Sequence, residues 1–535
     1  MSTVTHAVTV AEGVYAPGHL GELTQYLPFE VVDDVLAQTG TTQRRLRDLP
    51  SRVGVYFTLA LGLFPHLGYS RVWQKLIVGL VGLPVVCPSE KALRDLRRRL
   101  GAAPLKLLFE LVAGPLAQPD TPGARFRGLR TVAFDGCNSI KVPDTDRNRS
   151  WLGRIRYRMG FAGYPTLRLM TLVETGTRGL LGATLGSARD RDEATQARRL
   201  LPLLRPGMLL LVDRAFDSSA FFAAVAATGA HLLARITVTR NPPVLAHLSD
   251  GSYLSYLDEL EVRIIEADLT VTGADGSRLR ERYRLVTTLL DHRRFPAADL
   301  IHLYHERWEI ESAYLALRHT LLDGHVLRSG DRPGLEQELW ALLTVYQLLR
   351  MAMVTAVETH PGTNPDRASF TTAREAAREQ LAAARGISPD GPADLLGAIG
   401  RAVLATLLPP RRPRFSARKV KCSTPRYHYR DDDPHRPFAS TTIAAIDIGI
   451  HTPPIDQRRR PRRDTSTSRP PEPPTRRDRV TAIMTADPNR GWTGRELAEH
   501  LQVPPRNMLT QLAEWTRLGF LARTGAGIYA LATPT

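Results

Sequence analysis

From Leu20 to Gln38, Pro50 to Leu63, Ser70 to Leu80 and Ser89 to Leu100 the apolar positions recur at helical spacing. From Leu129 the period shortens to two. LRTVAF reads as a strand ending at Asp135, and LRLMTLVE and RGLLGATLG as two more, joined by a turn at Gly176. Asp192 to Leu204 is helical. GMLLLV is wholly apolar, reads as a central strand and ends at Asp213. Asp217 to Ala227 is helical, and HLLARI is one more strand. The order β-β-β-α-β-α-β, with a helix later, predicts a mixed sheet with helices on both faces.

Between Arg240 and Thr288 the helical signal disappears. EVRIIEADLTVTGADGSRLRERYRLVTTLL alternates around a GADGS turn, so a β-rich insertion is expected there. Leu335 to Leu407 is mostly helical. Near the end, Thr493 and Glu496 form a capping box ahead of ELAEHLQV. PRNMLTQLAEWTRLGFLA follows as a second helix, and FLARTGAGIYAL as a Gly-turned hairpin. Helix, turn, helix and hairpin predict a winged helix. Its core face would be Leu509, Leu512 and Leu518. Arg506, Asn507, Thr510 and Gln511 would lie opposite, where groove contacts form.

The late helix, YHERWEIESAYLALRHTLLDG, has Pro296 upstream at a first-turn position and Asp323-Gly324 as its stop. At about 100° per residue, Leu303, Ile310, Tyr314, Leu317 and Leu321 make the core stripe, while Tyr304, Arg307, Glu311 and Arg318 share an arc of roughly 60° beside it. That ridge fits ion pairs such as Arg307 with Glu311. It fits equally a carboxylate metal ligand flanked by cations that grip phosphate.

Charge shifts the balance. The 535 residues include 71 Lys+Arg against 54 Asp+Glu, a net +17. Such an excess points to a polyanionic partner, nucleic acid first. It also favours reading the arginine-rich KALRDLRRRLG as a DNA-contacting helix rather than a solvated one. Residues 411–478 hold 17 Lys/Arg against 8 Asp/Glu amid Pro, Ser and Thr, and the second half is expected to be disordered. The three cysteines, Cys87, Cys137 and Cys422, form no CxxC pair and suggest neither structural zinc nor a disulfide framework. MSTVTHAVTV lacks the features of a signal peptide, and no apolar run reaches the ~18 residues a membrane span needs. A cytoplasmic, nucleoid-associated protein with no membrane partner is expected.

Asp135 and Asp213 each follow a predicted strand, and Glu311 lies on a helix able to pack across the same rim. Each Asp alone reads more readily as a turn former. Three converging carboxylates, however, need a divalent counter-charge, and Mg²⁺ held by carboxylates suits phosphoryl chemistry.

FDGCNSIKVPDT, LLLVDRAFDS and YHERWEIESAYLALR resemble the DDE transposases of bacterial insertion sequences, in particular the group with a Tyr-Arg-Glu-Lys signature on its last catalytic helix. Tyr304, Arg307 and Glu311 match in spacing, and Arg318 stands where that group has Lys. The resemblance spans roughly Gly18 to Tyr429. It implies an α/β fold: a ribonuclease-H-like mixed-sheet core with a β-rich insertion and a helical N-terminal domain. It implies Asp135, Asp213 and Glu311 as catalytic metal ligands for Mg²⁺, with Mn²⁺ as an alternative. Tyr304, Arg307 and Arg318 are then DNA-binding residues, joined by Arg506 and Asn507 of the winged helix. The implied partners are double-stranded DNA, the terminal inverted repeats and target DNA, with a homodimer in the synaptic complex. The implied reaction is cleavage at element ends and strand transfer. Family members commonly pass through a DNA hairpin, with an aromatic of the insertion holding a flipped base. The insertion has no Trp, which leaves Tyr253, Tyr256 and Tyr283. A non-catalytic DNA-binding regulator descended from such an enzyme is the alternative, and the intact carboxylates argue against it.

The expected domains are a helical DNA-binding domain at 1–115, a catalytic domain at 125–345 with its insertion at about 240–288, and a helical and basic extension at 346–440. A disordered basic linker at 441–478 and the winged helix at 479–535 complete the chain.

Overall fold

The computed structural model describes residues 7–10, 13–45, 47–157, 160–187, 193–237, 239–276, 278–306, 316–383, 396–409, 414–415, 420–421, 427–428, 441–454, 476–488, 490–517, 520–525 and 527–532. Of several of these, Asp135, Arg318, Arg506 and Asn507 included, it describes the backbone alone. The chain divides into two units, Met1–Arg459 and Arg460–Thr535.

The first unit is built on a mixed sheet. Its strands are β1 (Leu129–Lys141), β2 (Thr166–Glu174), β3 (Leu180–Gly186), β4 (Met208–Val212), β5 (His231–Arg235), β6 (Tyr253–Leu257), β7 (Leu260–Gly273), β8 (Arg278–Thr287) and β9 (Thr441–His451). In space they run β6-β7-β8-β5-β4-β1-β2-β3. β4 is parallel to β1 and β5, and the other pairings are antiparallel. The alternation in sequence becomes two buried layers. Val132, Phe134, Leu210 and Val212 pack on one face with helix Ser219–Ala226. Ala133, Leu209, Leu211 and Leu233 join a larger core on the other.

That larger core also takes in the N-terminal helices Phe29–Gln38, Ser51–Leu63, Tyr69–Ile77, Glu90–Leu100 and Ala103–Val112. Residues 1–115 therefore do not enclose a core of their own. The 27-residue helix Arg332–Glu358 runs through its middle, so the expected boundary at 345/346 falls inside one continuous helix. Two buried glutamines stitch this helix to its neighbours. Gln337 Nε2 donates to the carbonyls of Arg97 and Gly101 at 2.9 and 2.6 Å, and Gln347 Oε1 accepts from Leu180 N at 2.8 Å. Among the described residues this is the one helix long and apolar enough to cross a membrane, and 89% of its most apolar window is buried in the fold.

One expectation fails here. Thr441–His451, expected within a disordered linker, is β9, antiparallel to β7 from Glu266↔His451 to Gly273↔Ile443. β7 is long enough to hold β6 beside residues 260–264 and β9 beside the rest. Ile446, Ile448 and Ile450 turn to the core, while Asp447 and Gly449 stay exposed. The rest of the expected linker up to residue 475 lies outside the described residues.

In the second unit, helices Arg476–Ala486, Gly494–His500 and Pro505–Arg517 pack beside a three-stranded sheet of Trp492–Thr493, Ile528–Leu531 and Leu521–Gly525. The predicted capping box is present: Thr493 and Glu496 satisfy each other's backbone N–H. The core face of the last helix differs from expectation. It is Met508, Leu512 and Trp515, whereas Leu509 is 47% exposed. Trp515 completes the i, i+4, i+7 stripe begun by Met508 and Leu512, and its ring outweighs a leucine one position off. Leu518 lies outside the described residues.

Candidate active site

β4 ends at Val212, and Asp213 caps the single turn Arg214–Phe216. Its Oδ1 accepts from Ala215 N at 2.8 Å, which fixes the carboxylate's rotation. Asp213 is half-buried, and its Oδ2 accepts no hydrogen bond among the described residues. One oxygen is thus anchored and the other is open at the strand's carboxyl end.

β1 lies parallel to β4 with Ala133 opposite Leu211. Continued two residues past that last pair, the same offset would bring position 135 level with 213, at the roughly 4.8 Å that separates neighbouring strands. The strand does not end at Asp135 as expected. It continues to Lys141, because β2 pairs with the polar stretch as well, Asp135 facing Thr171. A register shift between Cys137 and Ile140 absorbs the irregular run DGCNS. The Asp135 side chain, Arg307 and Glu311 lie outside what is described, and Arg318 is placed by its backbone within the turn Ala316–Leu321. The described residues contain no group of three or more metal-binding side chains.

The helix carrying the signature starts at Ala297 as α-helix, described to Glu306. Ala316–Leu321 is π-helical rather than the expected α-helix, with Leu322 N bonding back to Leu317 O at 2.9 Å. The wider turn brings Leu317, Leu321 and Leu322 into the core together. Asp323 and Gly324, both at positive φ, end it where the sequence indicated.

Tyr304 is not on an open ridge. It is 4% exposed, and its hydroxyl donates to the Val212 carbonyl at 3.2 Å. The buried positions are Ala297, Leu300, Ile301 and Tyr304, with Leu303 half-buried. A helical wheel ranks a tyrosine as amphipathic, and here the carbonyl at the end of β4 gives its hydroxyl an internal partner. Tyr304 thus props the residue before Asp213. Its ring meets Tyr283 edge-on at 5.8 Å, and Arg235 caps Tyr283 at 4.4 Å. Tyr253 is buried, its hydroxyl donating to Glu266 at 2.8 Å. Of the three insertion tyrosines, only Tyr256 keeps part of its surface open.

Sequence reasoning missed what seats this helix. Arg263 on β7 is wholly buried and donates to Ser252 Oγ and Phe295 O at 2.8 and 2.6 Å, and pairs with Asp250. Asp250 in turn accepts from Ala297 N at 2.9 Å, at the helix's first turn. Burial pulls the Arg263 guanidinium below its usual range, against the support of Asp250. In EVRII the alternation marks Arg263 as solvent-facing, so no local signal exposes this role.

Arg506 and Asn507 lie in the first turns of Pro505–Arg517, their side chains undescribed. In the helix Glu90–Leu100, expected to touch DNA, Arg97 is 6% exposed and donates to Gln337 Oε1 at 2.9 Å and Ser329 Oγ at 3.3 Å.

Two family descriptions match the chain: the insertion element 4 transposase N-terminal region over residues 17–110 and the transposase DDE domain over 128–348. The second holds both aspartates and the signature helix. The chain is a DDE transposase of the insertion-element-4 family. The transposase InsG for insertion sequence element IS4 of Escherichia coli (strain K12) is 28% identical over 420 residues, 75% of this chain and 92% of that protein. The putative transposase InsZ of the same strain is 25% identical over 195 residues, 36% of this chain and 63% of that one. A cryo-EM structure of the piggyBac transposase synaptic complex with hairpin DNA is similar at a TM-score of 0.35 and 10% identity, over 73% of this chain and 85% of that one. A DDE transposase is an enzyme acting on DNA, and the non-catalytic reading is not favoured.

Proposed function

We propose that Asp135, Asp213 and Glu311 form the catalytic centre that cuts DNA at the element's ends and joins them to a target. The observation that carries this is the β1–β4 register, which, continued past Ala133 and Leu211, would bring positions 135 and 213 side by side. The strand order β3-β2-β1-β4-β5, with β1, β4 and β5 parallel, supports a ribonuclease-H-like core.

The donor set suits a hard divalent cation. Asp213 keeps an open oxygen beside an anchored one, and two aspartates on adjacent strands repel unless a cation lies between them. Asp135, Asp213 and Glu311 would hold Mg²⁺ or Mn²⁺, which when bound lowers the pKa of water and stabilises the leaving oxygen. The protein's part is positioning. Ala215 N fixes the Asp213 carboxylate, and Tyr304 fixes the peptide before it. Arg307 and Arg318 neutralise phosphates of the end strand. In the first step the water oxygen bonds to phosphorus, the P–O3′ bond breaks and the departing O3′ takes a proton. In the second, that 3′-hydroxyl attacks a target phosphodiester and displaces a target O3′.

The bound DNA is then the terminal inverted repeats and target DNA, held in a synaptic homodimer at the nucleoid. The second unit is read as a winged helix because its capped helix, second helix and three-stranded sheet follow that order. Arg506 and Asn507 would contact the groove.

Asp135→Asn, Asp213→Asn and Glu311→Gln should each abolish Mg²⁺-dependent cleavage of a duplex carrying the element's end. Affinity should stay near wild type, since it rests on phosphate contacts. A variant that still cuts removes its residue from the centre.

A further inference from the structure

The connection from β1 to β2, residues 142–165, is fixed at its base and carries exposed side chains further along. Thr145 Oγ1 donates to the Gly330 carbonyl at 2.8 Å. Asn148 is fully buried and donates to the carbonyls of Pro143 and Ser329 at 3.0 and 3.2 Å. The Arg332 guanidinium lies 5.0 Å from the Trp151 ring, and Leu152 is buried. Beyond Gly153 the chain leaves the core as a hairpin, Arg156–Tyr157 paired with Gly160–Phe161.

Three large hydrophobics stand open in this segment: Ile155 at 39%, Phe161 at 61% and Tyr164 at 44% exposure. The described residues hold eight such side chains in all, so three within ten positions is a concentration. Cations accompany them. Arg156 is the cross-strand partner of Phe161, is exposed, and pairs with no acid among the described residues. The Arg154 guanidinium lies 5.9 Å from the Phe161 ring, and its Nε donates to the Ala162 carbonyl at 3.0 Å.

An exposed aromatic beside an arginine that meets no acid among the described residues suits single-stranded nucleic acid. Any base can stack on the ring, and the guanidinium can meet the adjoining phosphate. The connection that carries the hairpin leaves β1 at Lys141, six residues or about 20 Å beyond Asp135, and returns at Thr166, five residues before Thr171, which faces Asp135. The insertion offers little for this purpose, because Tyr253 and Tyr283 are buried.

We propose that residues 154–157 and 160–164 grip unpaired DNA beside the cleavage point. Phe161 and Tyr164 stack on bases, and Arg156 contacts a phosphate. The inference rests on the reading of Asp135 as part of the catalytic centre. It is tested on the full-length chain by fluorescence anisotropy with two probes: a blunt duplex of the element's end, and the same duplex with a six-thymidine single-stranded tail. Wild type should prefer the tailed probe. Phe161→Ala should cut that preference on the order of tenfold, and Phe161→Trp should keep it. Arg156→Ala should lower the slope of log K against log salt on the tailed probe by about one unit. Should Phe161→Ala lower the melting temperature, Tyr164→Ala in the same segment decides the question. Equal binding of both probes by wild type, or wild-type preference in Phe161→Ala and Tyr164→Ala, overturns the hairpin's role alone. A changed oligomeric state with unchanged preference does the same and assigns the segment to protein contact. A wild-type chain that binds neither probe overturns both this inference and the reading beneath it.

Discussion

Helix Glu90–Leu100 and the hairpin after β1 are both dense in arginine, and the fold treats them in opposite ways. On the helix, Arg97 is buried among Gln337, Ser329 and Tyr69, and Arg99 donates to the Leu49 carbonyl at 2.6 Å. Arg94 and Arg98 have acids one turn away, Glu90 and Asp95. On the hairpin, Arg156 pairs with no acid among the described residues. A cation's task is therefore decided by which distant element supplies its partner, and a count of arginines in sequence does not distinguish the two.

The largest effect should follow from removing the most deeply held cation. Arg263→Ala strips Asp250 of its partner and leaves the Phe295 carbonyl unmet. It should cost about 3 kcal/mol, read as a lower urea midpoint. A loss below about 1 kcal/mol would mean that water serves these groups as well as the guanidinium does. Arg97→Ala should cost roughly 2 kcal/mol in the same measurement, by leaving Gln337 short of a donor in the core. Tyr304→Phe removes one buried hydrogen bond and should cost about 1 kcal/mol. It should also slow end cleavage more than it weakens DNA binding, because the group released lies next to Asp213. Equal losses in both would return Tyr304 to a place among the DNA contacts. The smallest change is expected of Arg94→Ala or Arg98→Ala, within about 0.5 kcal/mol because both pairs are exposed. If either variant also flattens the salt dependence of DNA binding, the helix contacts DNA despite its internal acids, and the contrast with the hairpin narrows.

What could be read from sequence follows from range. The β-β-β-α-β-α-β order is legible because alternation and helical period are local. The Thr493–Glu496 box is legible because its partners are three residues apart. Asp213 is found at a strand's end because an apolar run stops there. Asp135 is misplaced relative to its strand because DGCNS has turn composition, and what keeps it extended is β2, some thirty residues on. β9 is hidden because the edge it completes belongs to Glu266–Gly273, while its own neighbours in sequence are Pro- and Arg-rich. Tyr304 is assigned to the wrong face because the Val212 carbonyl that draws its hydroxyl inward is 92 residues away.

The central claim is that Asp135, Asp213 and Glu311 meet at one cation. Exchanging Mg²⁺ for Fe²⁺ and adding ascorbate and peroxide generates hydroxyl radicals at the ion, which cut the polypeptide nearby. Peptide mapping should then show cuts in three separate segments, around residues 135, 213 and 311, all lost together in Asp213→Asn. Cuts confined to another acidic segment, or cuts near 135 undiminished in Asp213→Asn, would contradict the account.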